Sequence, residues 1–290
     1  MGNPVRIDND LFTANPSTYD HFTVKHSDRE ALTEEAVAQE VAVAFEYNGV
    51  SHAVMFASPA DLEDFALGFS LTEGIIGYPR ELFELESRTD TAGITLSIRI
   101  AGGRFMLLKE RRRSLTGRTG CGLCGVESLD QAIRPLNPVT SGLRLDGTQL
   151  HEAFEALRRK QQLMSLTGAV HAAGWVTAQG VLAIVREDVG RHNALDKLIG
   201  AASKAGVDFA DGAAIITSRA SFEMVHKAAS MNIGLLAAVS APTALAIRMA
   251  DTVGLTLLGF VRGKRHAIYS HCERLVDGTA ERGATIGSQK

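Results

Sequence analysis

Cys121 and Cys124 stand in the run Arg118-Thr119-Gly120-Cys121-Gly122-Leu123-Cys124-Gly125, and they are two of the chain's three cysteines. The three glycines around them forbid a rigid helix and let the backbone swing. Upstream lie Arg104, Lys109, Arg111, Arg112, Arg113 and Arg118, opposed in that segment only by Glu110. Nearby cations favour the thiolate, the nucleophilic form of the side chain. A basic loop bearing thiolates suits a group that accepts something on sulfur and delivers it to an anionic acceptor.

Other readings of the pair are weaker. A zinc half-site needs four ligands, and only Cys272 remains, alone in Ser270-His271-Cys272-Glu273. A knuckle shared by two chains would be required. A thioredoxin-like redox pair follows a strand and sits at a helix N-terminus, and the flanking glycines argue against that. Inert structural cysteines are buried ones, and this segment is too basic and glycine-rich for burial. A sulfur or acyl carrier loop is the reading best suited to the setting.

Two further constellations sit where a strand hands over to a helix. One is Arg186-Glu187-Asp188-Val189-Gly190-Arg191-His192-Asn193, and the other is Thr217-Ser218-Arg219-Ala220-Ser221-Phe222-Glu223. Ligands of open α/β sheets bind beyond the carboxyl ends of strands, and helix N-termini attract phosphates. Asp188 and Ser221 could each be a helix cap and nothing more. Together with Arg191, His192, Ser218 and Arg219 they suggest an anion or nucleotide site, because arginine grips phosphate in bidentate fashion. Phe260-Val261-Arg262-Gly263-Lys264-Arg265 forms a third basic corner at the end of the last long strand. Thr167-Gly168-Ala169-Val170-His171 adds a histidine that by itself reads as structural.

The elements that must position these groups follow from periodicity. Residues 1–30 are polar, patternless and read as a flexible segment. Val41, Val43, Phe45 and Tyr47 alternate with small or polar residues. Asn48-Gly49 supplies a two-residue turn and Val54–Phe56 the return strand, so 40–57 is a hairpin. Ser58 reads as an N-cap with Pro59 at the first helical position, opening a helix that stops near Gly74. Strands follow around 82–86 and 94–100, then the basic cysteine loop. Asn137-Pro138 and Ser141-Gly142 mark a connection, and a soft domain boundary falls within 137–147. Leu150, Phe154, Leu157, Leu163 and Met164 define one amphipathic helix. Beyond Gly168, strands at 170–176, 181–186, 213–217, 235–240 and 255–260 alternate with helices at 193–205, 221–231 and 243–253. A strand at 266–270 closes the sheet edge. The expected fold is α/β: an α+β domain over 31–140, then an α/β/α domain over 141–290 with a mixed, mostly parallel sheet.

At 290 residues, 45% hydrophobic and 22% charged, the composition is that of a globular protein. A net charge of −3 supplies no global field toward nucleic acid or membrane. The basic stretch is therefore a local device. No secretory h-region opens the chain and no run of apolar residues is long enough to span a bilayer, so a cytoplasmic location is expected.

The segments 118–125, 167–171, 187–200, 218–229, 240–246 and 259–263 together resemble the FdhD family of formate dehydrogenase accessory sulfurtransferases, over roughly residues 40–272. The resemblance implies a carrier that takes persulfide sulfur from a cysteine desulfurase. It passes that sulfur to the molybdenum bis(molybdopterin guanine dinucleotide) cofactor, the bound substrate, before the cofactor enters formate dehydrogenase. It implies a second half like the cytidine deaminase fold, without deaminase chemistry and without a metal. The family's persulfide cysteine corresponds to Cys121, with Cys124 beside it, and its cofactor-contact segment corresponds to Phe260–Arg265. GDP would act as a fragment mimic of the cofactor, and a homodimer would suit its two nucleotide arms. The chain departs from many relatives at Gly168-Ala169, at Ser218-Arg219-Ala220 and at Lys264-Arg265. Two rival functions are a cofactor chaperone that transfers nothing and a zinc hydrolase of the deaminase type. The second lacks the His/Cys-x-Glu and Pro-Cys-x-x-Cys ligands at the corresponding helix starts.

Overall fold

The computed structural model describes residues 17–116 and 134–276. The chain forms two compact units. The first takes Met1–Pro135, Leu163–Val170 and Asp188–Gly200, and the second takes Leu136–Gln162, His171–Glu187 and Ala201–Lys290.

In the first unit, β1 (Tyr19–Lys25) and β2 (Leu32–Ala38) pair antiparallel as a two-stranded sheet. This corrects the expectation of a patternless tail to residue 30: aromatic and β-branched residues at Tyr19, Phe22, Thr23 and Val24 favour the strand. The strands β3 (Val41–Tyr47) and β4 (Val50–Ala57) follow. Then come α1 (Leu62–Thr72), β5 (Leu82–Asp90), β6 (Gly93–Ile100) and α2 (Gly102–Thr116). The four strands form one sheet in the order β4-β3-β6-β5. Asn48 and Gly49 both adopt positive φ, 47° and 79°, which a two-residue hairpin turn matched to strand twist requires. Alternate residues of β3 are buried, and Phe45 meets Phe65 and Phe69 of α1 at centroid distances of 5.0 and 4.5 Å.

Two expectations in this unit are corrected. The helix after the hairpin starts at Leu62 behind a left-handed Asp61, so Ser58 is not its cap and Pro59 lies outside it. The basic stretch from Arg104 onward is helical rather than looped. Its Leu, Met, Lys, Glu and Arg residues are good helix formers, and that preference outweighs the lack of a clean apolar stripe.

The second unit opens with β7 (Leu145–Asp146) and α3 (Gly147–Lys160), whose N-cap Asp146 accepts from the Thr148 and Gln149 N–H groups. The helix expected to run on to Met164 breaks at Gln161, and α4 (Gln162–Thr167) follows. Next along the chain come β8 (His171–Thr177), β9 (Leu182–Asp188), α5 (Arg191–Lys204) and β10 (Gly212–Ile216), with α4 from Leu163 onward and α5 as far as Gly200 belonging to the first unit. The chain continues with α6 (Phe222–Ser230), β11 (Leu235–Ala238), α7 (Ala244–Val253), β12 (Thr256–Arg262) and β13 (Arg265–Ser270). It ends with β14 (Leu275–Val276), parallel to β7.

The main sheet has six strands in the order β13-β12-β11-β10-β8-β9. Pairing is parallel for β10/β11 and β11/β12 and antiparallel for β10/β8 and β12/β13. The α/β class is as expected. Parallel pairing is confined to three central strands, because short turns at Gln179-Gly180 and Gly263-Lys264 fold the outer strands back. Every residue of β10 and β11 is buried, so both sheet faces are covered, as parallel strands demand. Leu150, Ala153 and Leu157 of α3 join Val176, Ile215, Leu235 and Leu258 in one core. Among the described residues no helix is long and apolar enough to cross a membrane.

Within the first unit α1 crosses the middle of α5 at backbone contact. A Cβ added to Gly68 would lie 1.7 Å from the Asp196 carbonyl oxygen, and one added to Gly200 would lie 1.9 Å from that of Asp64. Thr72 Oγ1 donates to Asp196 Oδ1 at 2.7 Å beside this crossing.

Candidate functional site

Cys121, Cys124 and Arg118 lie outside the described residues. The helix leading toward them, α2, carries the first of the basic side chains. Arg104 Nε pairs with Glu81 Oε2 at 2.9 Å, Lys109 Nζ stands 4.9 Å from the Phe105 ring centroid, and Arg111 donates to the Gly74 carbonyl at 3.3 Å.

In the first unit, Asp188 ends β9 and is fully buried. Lys197 of α5 is equally buried and places Nζ 2.6 Å from Asp188 Oδ2. The Ser58 N–H donates to the same oxygen at 3.1 Å. Oδ1 accepts from the Gly190 N–H at 2.7 Å and from Asn193 Nδ2 at 2.9 Å. Lys197 also donates to the Ser58 carbonyl at 2.9 Å, and Ser58 Oγ accepts from the Val189 N–H at 3.1 Å. Ser58 is thus the far wall of an ion-pair cage, which explains why it caps no helix. Asp188, expected among the cofactor contacts, has both oxygens engaged by protein. Its part is to fix the 188–193 turn that presents Arg191 and His192, both half-buried. Arg191 Nε is buried and has no hydrogen-bond partner among the described residues.

Lys197 carries no signal of its own in the sequence, and Ser58 signals only a helix cap. The available signal was in α5 itself: Ala194, Leu195, Leu198, Ile199, Ala201 and Ala202 surround Asp196 and Lys197 with apolar residues. A helix apolar nearly all round must bury any lysine it carries, and a buried lysine needs a counter-charge.

In the second unit the carboxyl ends of the three parallel strands are laced together. After β10, the Ala220 N–H donates to the Ala241 carbonyl at 3.3 Å, and the Ala220 carbonyl accepts the Thr243 N–H at 3.0 Å. After β11, the Ser240 carbonyl accepts the Phe260 N–H at 3.2 Å. The segment after β11 therefore lies between Ser218–Ser221 and the β12 end that carries Phe260, bonded to both. Ser218 is buried and Arg219 is exposed. Ser221 occupies the N-cap of α6 but makes no capping bond. Only 9% exposed, its Oγ lacks a partner among the described residues. An orphaned hydroxyl at a helix N-terminus beside an exposed arginine fits an anionic ligand.

Phe260 has a left-handed φ of 54° at a bulge in the β12/β13 pairing and is 48% exposed. Arg262, Gly263, Lys264 and Arg265 form the exposed turn into β13. Val261 differs from its neighbours: its side chain belongs to the core cluster, so it can offer a ligand its backbone alone.

The fold and the strand ends define an α/β protein whose sheet edge carries an orphaned serine hydroxyl and exposed cations, with a basic helix and a C-x-x-C segment earlier in the chain. A profile of the FdhD/NarQ family matches residues 38–276. The sulfur carrier protein FdhD of Cupriavidus necator is 53% identical over 264 residues, covering 90% of this chain and 92% of the relative. That of Xanthomonas campestris is 54% identical over 252 residues, covering 87% and 90%. A solved structure of a candidate formate dehydrogenase accessory protein from Desulfotalea psychrophila superposes with a TM-score of 0.68 at 22% identity, covering 89% of this chain and 98% of that one. The chain belongs to the FdhD/NarQ family.

Proposed function

We propose that this protein is a sulfur carrier that loads Cys121 as a persulfide from a cysteine desulfurase. It then supplies the sulfur to a molybdenum bis(molybdopterin guanine dinucleotide) cofactor destined for formate dehydrogenase. The supporting observation is identity above 50% to sulfur carrier proteins along nine-tenths of the chain, combined with a C-x-x-C pair in a basic stretch. In loading, the Cys121 thiolate attacks the outer sulfur of the donor persulfide. A new S–S bond forms on Cys121, the donor's S–S bond breaks, and the donor leaves as a thiolate. Delivery balances if the Cys124 thiolate then attacks Cys121 Sγ: the pair becomes a disulfide and hydrosulfide leaves toward the metal.

The nucleotide arms of this substrate suit the laced strand ends. Ser221 Oγ and Arg219 would meet phosphate, and Arg262, Lys264 and Arg265 would neutralise further anionic oxygens, each charge-assisted contact contributing on the order of 1.5–3 kcal/mol. Binding energy from the remote nucleotides would hold the metal centre in place for transfer. The protein would work in the cytoplasm, as a homodimer.

Intact-mass measurement after incubation with a cysteine desulfurase and cysteine tests the central step. The expected result is a gain of sulfur that maps to Cys121 and vanishes in Cys121→Ala. Loading that survives Cys121→Ala sinks the assignment. Calorimetry tests the second part: GDP should bind more tightly than ADP, because buried polar groups matched to guanine are left unpaired by adenine. Equal affinity, or no binding by either, removes the guanine site.

A further inference from the structure

We propose that the exposed face of α2, with the adjoining Tyr78–Arg80 loop, is the docking surface for the protein that delivers sulfur to Cys121. That partner would present an acidic rim around an apolar centre. The inference rests on the sulfur-carrier reading and adds where the donor sits.

The helix buries Leu108 and leaves Met106 51% and Leu107 47% exposed. Two adjacent large apolar side chains thus stand half-exposed in the first half of the helix, inside a segment with five cations and one carboxylate. The Arg104–Glu81 pair at 2.9 Å ties this helix to the 77–81 loop. Glu81 also accepts the Gly77 and Tyr78 N–H groups at 2.6 and 3.2 Å. The loop is thereby held with Tyr78 56% exposed and the Arg80 guanidinium 5.0 Å from its ring centroid. Aromatic residues, methionine and arginine are enriched where protein interfaces carry their energy, and ordering them beforehand lowers the cost of association.

The chemistry selects the occupant. A nucleotide cofactor would use the cations but leave Met106 and Leu107 wet. A second copy joined by a two-fold axis would bring this positive face onto itself, and like charges across an interface repel. An acidic protein surface satisfies both the cations and the apolar pair. The chain as a whole carries −3, so the local positive charge also orients the encounter. Position agrees: α2 ends at Thr116, and the five residues on to Cys121 span at most about 18 Å. A donor seated on the helix therefore has the thiol within reach.

The test uses the full chain with Met106→Asp and Leu107→Asp combined, and separately Lys109→Glu. Each is loaded from two sources: a cysteine desulfurase with cysteine, and glutathione persulfide. The double variant should lose about tenfold in loading rate from the desulfurase, the factor that corresponds to about 1.4 kcal/mol. Its loading from glutathione persulfide should be unchanged, because a small donor needs no docking face. Lys109→Glu should slow loading from the desulfurase and flatten its dependence on salt. Wild-type rates from the desulfurase in both variants would overturn the proposal. Equal loss with both donors would overturn it too, since the damage would then lie at the thiol or in the fold. A changed oligomeric state by light scattering would assign the face to a second copy instead. If wild-type protein takes sulfur from neither source, the sulfur-carrier reading itself fails.

Discussion

The Asp188–Lys197 pair holds two opposite charges wholly out of water. Both residues are fully buried, and their contacts converge on the backbone of Ser58 and on Asn193. Removing one partner from such a pair costs about 3–5 kcal/mol, because the other is left charged and uncompensated. Asp188→Asn should lower stability by that amount in urea unfolding. Lys197→Met should cost less, because the carboxylate keeps the Ser58, Gly190 and Asn193 donors while the lysine has no comparable set. The reverse order would mean that the ammonium group is better solvated in the cage than its contacts imply. A second residue pair responds to pH. His151 Nε2 and His266 Nδ1 are 3.1 Å apart, so one ring must donate and the other accept. Burial first, and then His266, push the His151 pKa below its ordinary 6.5, with Asp146 opposing. A base whose pKa is depressed on folding contributes stability that is whole above its unfolded value and is lost as pH falls. Thermal stability should therefore fall as pH drops below about 6.5, and His151→Phe should remove part of that acid dependence. An NMR titration placing the His151 pKa above 6.5 would contradict this account.

The crossing of α1 with α5 works through what is missing rather than what is present. Gly68 and Gly200 let two backbones touch, and no flexible side chain can yield if a methyl group is added. Gly200→Ala should force the helices apart and cost at least the 1–3 kcal/mol typical of overpacking, about the upper end or beyond. Gly103→Ala is the matched control. It lies in α2 with open space around it, so the better helix former should stabilise the chain by up to about 1 kcal/mol. Comparing both in urea separates packing from propensity, and similar effects from the two substitutions would refute the crossing argument. These elements also show what could be read from the chain. The β3–β4 hairpin was legible because Asn-Gly fixes a turn type and the flanking residues alternate. The strand ends carrying Ser218–Ser221 and Phe260–Arg265 were legible because short apolar strands alternate with helices. The helix α2 was not, because its apolar residues do not form a clean stripe in the sequence. Ser58 was misread because Ser-Pro resembles a helix start, while its real partners, Asp188 and Lys197, lie more than a hundred positions away. Local signals cannot reveal a contact at that separation.

At the scale of the whole molecule, the chain order of the two units is the decisive fact. The first unit is built from three separate stretches, the third being Asp188–Gly200. That stretch supplies Asp188, Asn193, Asp196, Lys197 and Gly200, the side chains and backbone that close over α1 and Ser58. A fragment ending near residue 140 would keep β3, β4, α1, β5 and β6 but lose that cover. Phe65 and the buried faces of Gly68 and Thr72 would meet water, and the Ser58 groups would lose their partners. Burial in a small unit leaves only a few kcal/mol of net stability, less than such a loss. The fragment 1–140 should therefore fail to unfold cooperatively in urea and should show poorly dispersed amide resonances. The same fragment joined through a flexible linker to 186–204 should recover both, because the missing helix returns in cis. A cooperative transition in the fragment without that helix would show that α5 is dispensable to the first unit. It would also remove the reason for treating the two units as folding together along one interleaved chain.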